Sequence, residues 1–264
     1  MNCMLRSIWQ YRNFILSSIR NELLTRFARS KLGGLWMIIN PLSQVAIYAL
    51  VLSNVLSAKL HGIDNKYAYA IYLMAGLLAW NLFSEVVDRC LNLFIAHGEL
   101  LKKLNFPRIA LPCIVVGSSL LNNIFLFAAM LGVFILLGHQ FSNMIFWLLP
   151  ITLVLLTFSL GIGLILGIIN VFLRDLGQVV PILLQVWFWF TPIVYPEKII
   201  PLNYRWLLKL NPMYHIINAY QQVLAYDSAP EIGGITIISA FAVGIMLLSL
   251  FLFRRAGAEM VDVL

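Results

Sequence analysis

Apolar stretches long enough to cross a lipid bilayer recur along this 264-residue chain, and no other feature restricts its fold as severely. A spanning helix needs about 20 largely apolar residues. Candidate runs fall at 35–57, 69–96, 111–138, 146–169, 177–194 and 232–253. Charged residues make up 11% of the chain, against about 25% in an ordinary soluble domain. Hydrocarbon offers no water to backbone N–H and C=O groups, so spans must be helices or closed barrels. Runs of this length are helices. The expected fold is an all-α integral membrane protein with six transmembrane helices, the second tilted or projecting because it is long and polar toward its end.

Lysine and arginine placement orients the spans, because cytoplasmic flanks carry the excess. One side collects Arg6, Arg12, Arg20, Arg26, Arg29 and Lys31 ahead of the first span. Lys102, Lys103, Arg108, Arg174, Arg254 and Arg255 join them. The other side holds Lys59, Lys66, Lys198, Arg205 and Lys209. Both termini are therefore expected in the cytoplasm, and the net charge of +7 is a topology signal rather than a nucleic-acid footprint. No signal peptide is visible, since the first apolar run follows a long basic segment. Cys3, Cys90 and Cys113 lack CxxC spacing and the four histidines are scattered, so neither a disulfide framework nor a metal cluster is expected.

Residues 1–34 and 35–264 read as a cytoplasmic N-terminal segment and a transmembrane domain. In Tyr11 to Lys31, Leu16, Ile19, Leu23, Leu24 and Phe27 share one helical arc. Ser17, Ser18, Asn21, Glu22, Thr25 and Arg29 take the other arc, while Arg12 and Arg20 fall toward the apolar side. This is an interfacial helix or a basic flank that happens to be helical. Residues 97–108 form a short amphipathic helix stopped by Pro107, with Leu100, Leu101, Leu104 and Phe106 apolar and without an obvious partner in this chain. That face suits docking onto another protein; an interfacial loop helix is the alternative. Between the last two spans, "YRWLLKLNP" and "MYHIINAYQQVLAY" are too short to span and suggest two re-entrant helices on the outer side.

Several chemistries are missing. There is no GxxxxGK[ST] phosphate loop, no GxSxG elbow and no HExxH. "GIGLILG" at 161–167 lies inside an apolar helix, where Ser159, Gly163 and Gly167 at four-residue spacing serve close packing. Glu85, Asp88 and Arg89 are charges within the second span, and Glu85 with Arg89 makes an i,i+4 pair. They are too few for a proton relay. Aromatic rings are plentiful: Tyr72 and Trp80 lie in the second span, and Trp187, Phe188, Trp189 and Phe190 run consecutively before Pro192. Four consecutive residues point around the whole helix, so some rings face away from lipid. They line a passage for a flat-faced sugar chain, or they pack within the protein.

With these features in order, the chain resembles the membrane subunit of ABC-type polysaccharide exporters, the type-2 permease class. The resemblance runs through "RFARSKLGGLWMIINPL" (26–42), "GLLAWNLFSE" (76–85), "LLKKLNFPRIALP" (100–112), "FLRDLGQVVPILLQ" (172–185), "TPIVYP" (191–196) and "LNPMYHIINAYQ" (210–221). It implies a homodimer with two copies of a P-loop ATPase, which would carry ATP and Mg²⁺; this chain holds no cofactor. It implies that Glu99, Leu100, Leu101, Lys102, Lys103 and Leu104 form the helix coupled to that ATPase. The 11–31 helix becomes an interfacial gate, whose Arg12, Arg20, Arg26 and Arg29 meet the diphosphate of an undecaprenyl-linked glycan, arginine favouring phosphate oxygens. Trp206, Asn211, Pro212, Tyr214 and Tyr220 belong to an outer gate. Tyr72, Trp80, Trp187, Phe188, Trp189, Phe190 and Tyr195 are candidate channel aromatics. The implied setting is the bacterial inner membrane, with lipid and glycan as partners and no nucleic acid. Capsule, teichoic-acid or small-molecule efflux remain alternatives within the class, and a membrane-embedded enzyme of glycan assembly remains one outside it.

Overall fold

The computed structural model describes residues 9–26, 35–47, 68–103, 108–136, 138 and 142–263, and every regular element among them is helical. In chain order these are α1 (Arg12–Arg26), α2 (Trp36–Ile47), α3 (Ala68–Ala96), α4 (Gly98–Lys103), α5 (Ala110–Leu136) and α6 (Leu148–Phe172). They continue with α7 (Leu176–Phe190), α8 (Arg205–Leu210), α9 (Pro212–Leu224) and α10 (Ile232–Val263). Short 3-10 turns precede α6 and α8.

Four helical segments have the length and hydropathy to cross a membrane: Ala68–Ala96, Ala110–Leu136, Asn143–Phe172 and Ile232–Ala256. These match the second, third, fourth and sixth expected spans. Of the first, α2 covers Trp36–Ile47, and 48–57 lies outside the described residues. The fifth differs. The expected run was 177–194, yet α7 stops at Phe190 after 15 residues, about 22 Å of helix against a hydrocarbon core of about 30 Å. The cause is local: Thr191 precedes Pro192, and a pre-proline residue is pushed out of the α region. Thr191 is extended at φ −107° and ψ 133°.

The bundle is built around α3. Every residue from Ala68 to Trp80 is buried. The row α2, α5, α3, α6, α10 packs neighbour to neighbour, α1 lies on α5, and α7 and α9 cover α3 from another side. The closest approaches in the row are made by α6. A Cβ at Gly163 would sit 2.7 Å from the Cβ of Cys90, and one at Gly167 would collide with the Cys90 carbonyl oxygen. A Cβ at Gly161 would lie 3.1 Å from the Met246 backbone nitrogen of α10. "GIGLILG" therefore serves two faces of one helix, with Gly163 and Gly167 toward α3 and Gly161 toward α10. In lipid, where apolar burial alone does not draw helices together, such backbone contact is a main source of association.

This packing makes two glycines in apolar helices behave in opposite ways. Gly167→Ala is expected to lower the melting temperature of the purified protein in detergent by the equivalent of about 1–3 kcal/mol, the usual cost of overpacking. Gly132→Ala in α5 meets nothing within 4 Å and is expected to leave the melting temperature unchanged or raised, because alanine favours a helix over glycine.

Candidate functional site

The charges within α3 gather at one end of the bundle, the end that also carries Arg12, Arg20, Lys102, Arg108, Arg174, Arg254 and Arg255 and is here the basic end. Burying a guanidinium is costly unless it is paired and hydrogen-bonded. Arg89, about one-fifth exposed, meets that condition fully. Its Nη2 donates to Glu22 of α1. Its Nη1 lies 3.5 Å from Glu85, one turn earlier on α3. The same Nη1 donates to the Ser118 and Ser119 hydroxyls of α5 at 2.8 and 3.1 Å. Glu85 in turn accepts from Asn122 at 2.9 Å, and one turn along α5 Asn123 donates to the Leu78 carbonyl at 2.8 Å. Arg89 thus ties three helices together.

The expected amphipathic arc of α1 is only partly the one used. Ile15 and Ile19 are buried, and Leu23 packs half-buried against Ala110, Cys113 and Ile114 of α5. Leu16 and Leu24 are exposed instead of inward. Glu22, on the arc assigned to solvent, turns inward to Arg89. The correction has a physical reason: an inward charge on α3 exerts a stronger demand for a partner than one more leucine exerts for burial. Beneath α1 lies a cavity of about 600 Å³. Its lining mixes apolar Phe14, Leu93, Leu111, Ile114 and Val115 with polar Ser18, Glu22, Asp88, Arg89, Asn92 and His97.

The other predicted basic-end residues are dispersed. Arg12 and Arg20 are exposed, with the Arg12 guanidinium 4.7 Å from the Trp9 ring centroid. The Arg26 side chain and Arg29 lie outside the described residues. In α4, Glu99 and Lys102 are exposed, whereas Leu101 is buried in this chain's own core, where α4 meets α3 and α10. The apolar side of 97–108 was expected to lack a partner here; Leu101 has one. Leu104 and the side chains of Leu100 and Lys103 lie outside the described residues.

At the opposite end, the chain between α7 and α9 is irregular, and its polar groups are satisfied by named side chains. Tyr69 donates to the Val194 carbonyl at 2.5 Å. Tyr72 donates to the carbonyls of Pro192 and Tyr195 at 3.2 and 3.3 Å. Gln221 of α9 adds a second donor to Pro192 at 3.2 Å, and the Tyr195 hydroxyl reaches the Trp189 carbonyl at 2.9 Å. Asn211 closes the loop. Its side chain caps α9 by accepting from the Met213 N–H at 3.0 Å and accepts from Trp187 Nε1 at 2.9 Å, while its Nδ2 donates to the Thr191 hydroxyl at 2.9 Å. Pro212 follows as the first helical residue, where its missing N–H costs nothing. Tyr214 donates to Glu197 at 2.7 Å; burial first, then this hydrogen bond, holds its phenol above the ordinary value, so the proton stays on the tyrosine. Tyr220 is fully buried, its hydroxyl 2.5 Å from that of Thr152.

The candidate channel aromatics therefore divide. Tyr72 and Trp80 are buried within the chain, Trp80 lying edge-on to Trp187 and Phe188 at 6.3 and 5.6 Å between centroids. Neither presents its ring at a surface of this chain. Trp187, Phe188 and Tyr195 are half-buried. Trp189 and Phe190 are 59% and 70% exposed, and Trp206 is exposed beyond them. Sequence reasoning passed over Glu22, Ser118, Ser119 and Asn122. Two signals marked them: Glu22 is the single acid in the first 34 residues, and "GSSLLNN" places polar groups at i, i+1, i+4 and i+5 of an apolar span.

Comparison with known proteins covers most of this architecture. Residues 14–225 match the family described as ABC-2 type transporter. The O-antigen export system permease protein RfbA of Myxococcus xanthus is 30% identical over 98% of both chains. A protein of the same name from Klebsiella pneumoniae is 28% identical over 76% of both. The polysialic acid transport protein KpsM of Escherichia coli is 24% identical over 90% of this chain and 92% of its own.

Truncating Arg89 leaves Glu22 and Glu85 without their cation. Arg89→Ala is expected to cost about 1.5–3 kcal/mol, the range for hydrogen bonds to charged groups, and to raise protease cleavage within α1. The exchange Glu22→Arg with Arg89→Glu places Glu85 beside a second carboxylate and is expected to recover only part of that loss. Unchanged melting and cleavage in Arg89→Ala would show that α1 is held by Ile15 and Ile19 alone.

Proposed function

This chain belongs to the ABC-2 type transporter family, and on that premise we propose that it is the permease subunit of an ATP-driven exporter of lipid-linked polysaccharide, with O-antigen as its cargo. The observation that carries this reading is the 30% identity, running along 98% of both chains, to a protein named an O-antigen export permease. The relative named for polysialic acid transport supports capsule glycan as the second reading within the same class.

In this reading the chain sits in the bacterial inner membrane with both termini cytoplasmic, and the basic end faces the cytoplasm. The four long helices, α2 with the residues that follow it, and α7 together make the six spans. Residues 1–34 are the interfacial gate segment and 35–264 the transmembrane domain. Two copies pair, and the exposed apolar rows of α7 and α10, including Ile182, Val186, Phe241 and Leu248, are suited to face lipid or the second copy. Each copy recruits a P-loop ATPase subunit, which holds ATP and Mg²⁺ and supplies the free energy. The exposed Glu99 and Lys102 of α4 are placed to meet that subunit.

Cargo arrives on an undecaprenyl-diphosphate carrier. Arg12, Arg20, Arg26 and Arg29 are the residues for its diphosphate, because guanidinium matches phosphate oxygens. Trp189 and Phe190, the exposed rings of the aromatic run, offer flat apolar faces to a passing sugar chain. Asn211, Pro212, Tyr214 and Tyr220 hold the outer helices that close the path.

Deleting the gene and following labelled glycan tests the proposal directly. Lipid-linked polymer accumulating inside the cell with a bare surface is the expected outcome. Polymer lost from both places would point to synthesis instead of export, and an unchanged surface would exclude both glycan readings.

A further inference from the structure

The cavity beneath α1 contains more hydrogen-bonding capacity than the Arg89 cluster consumes. We propose that this cavity binds the sugar nearest the lipid carrier, with Asp88, Asn92, Ser18 and His97 addressing its hydroxyls and Phe14 lying against its face. The proposal rests on the reading of the chain as an exporter of lipid-linked glycan and specifies which part of that substrate the cavity recognises.

Charge decides first against a phosphate. Arg89 is engaged by the two carboxylates Glu22 and Glu85 and by the hydroxyls of Ser118 and Ser119. Asp88 is exposed, lies outside those ion pairs and lines the same cavity. The cavity lining therefore carries two carboxylates, Glu22 and Asp88, against one guanidinium already paired, and an entering diphosphate would have to displace Glu22 and approach Asp88. A neutral, hydroxyl-rich ring meets no such penalty.

The polar groups suit such a ring. A carboxylate only accepts, and each sugar hydroxyl brings a proton to donate. Asn92 gives one Nδ2 hydrogen to the Asp88 carbonyl at 3.3 Å and retains a second. Nδ1 of His97 lies 3.0 Å from the Leu93 carbonyl. A carbonyl only accepts, so the proton is on Nδ1 and a neutral His97 presents a lone pair at Nε2. Ser18 adds a hydroxyl from α1. Donors and acceptors are thus mixed, as hydroxyls require. The lining also includes apolar side chains, with Phe14 and Leu111 able to cover C–H faces. The volume of about 600 Å³ falls within the range of small-molecule sites, about 300–1,000 Å³. The cavity also lies where a headgroup would, between an amphipathic helix and the basic end of a spanning helix.

The test uses the full chain with its ATPase subunit in nanodiscs and two radiolabelled probes. One is a short polyprenyl diphosphate bearing a single N-acetylhexosamine; the other is the same polyprenyl diphosphate without sugar. The sugar-bearing probe is expected to bind about ten-fold tighter or more, the equivalent of one charge-assisted hydrogen bond. Asp88→Ala and Phe14→Ala should each bring it toward the bare carrier and leave the bare carrier's affinity unchanged. Ser18→Ala, a milder change on α1, should give a smaller loss in the same direction. Equal affinity for the two probes overturns the proposal, as does full sugar preference in Asp88→Ala. Vesicles of phosphatidylethanolamine that displace the sugar probe as well as the bare carrier does would overturn it too, by making the cavity a general lipid site. Cells separate this failure from that of the exporter reading. Normal export by Asp88→Ala in a strain whose deletion leaves the surface bare sinks the sugar site alone, whereas normal surface glycan in the deletion strain sinks the exporter reading.

Discussion

A backbone carbonyl or N–H inside a bilayer has no water to turn to, and the arrangement of this protein follows from where its helices stop. Regular helices satisfy their own backbone. The segment after α7 does not, because Pro192 forces Thr191 into an extended conformation and ends the helix about one and a half turns short of a full span. Each donor aimed at the freed carbonyls comes from an element that must then stay in place: Tyr69 and Tyr72 from α3, Gln221 from α9, Tyr195 from the break itself. The side chains chosen are largely tyrosines, whose rings fill apolar space while the hydroxyl reaches a carbonyl. The break at Pro192 thus accounts for the buried state of Tyr72 and the position of α9. It also accounts for Asn211, which bridges both flanks through Trp187, Thr191 and Met213.

The same economy governs the charges. Arg89 could not sit on α3 unless nearby helices supplied acceptors, and α5 does so with Ser118 and Ser119 while α1 supplies Glu22. In this medium an interhelical polar contact is worth only about 0.6–2 kcal/mol. The cluster therefore fixes the position of α1 more than it stabilises the whole bundle. Helix α1 is otherwise held by few buried side chains, Ile15 and Ile19 foremost. A helix tethered by one ion-paired arginine and two isoleucines over a cavity is held weakly compared with α6, whose glycines meet the backbones of both neighbours.

What the sequence disclosed and what it concealed divide along the range of the interactions. The long spans were legible because hydrophobic length is a local property; the fifth was expected to run to 194, past the stop that Pro192 imposes at Phe190. The glycines at 161–167 declared close packing for the same reason. Glu22 was placed on the solvent arc because helical periodicity weighs a residue only against its own helix, while its partner Arg89 lies 67 positions away. Tyr72 and Trp80 looked like channel rings because an aromatic on a span carries no mark of which neighbour it will meet, and the acceptors of Tyr72 lie 120 and 123 positions away. Of the four consecutive rings, two turned to the protein and two away, which a helical turn requires but whose phase only packing decides. Leu101 shows the reverse case at one residue of the apolar face of 97–108: α3 and α10 supply its partner within the chain.

Helix α3 joins these two regions physically. Tyr72 and Arg89 stand 17 residues apart on it, about 26 Å along a continuous helix. The first is fastened to the break beside the outer helices and the second to α1 above the cavity. Along its length α3 meets α6 through Gly163 and Gly167, which bring the helices close at Cys90, and through Phe83 stacked on Phe158 at 5.7 Å between centroids. A displacement of α3 along its axis would strain the Tyr72 hydrogen bonds at one end and the Arg89 ion pairs at the other in the same movement. Because α3 is a single unbroken rod, the polar anchors at its two ends cannot be adjusted independently unless the helix itself bends.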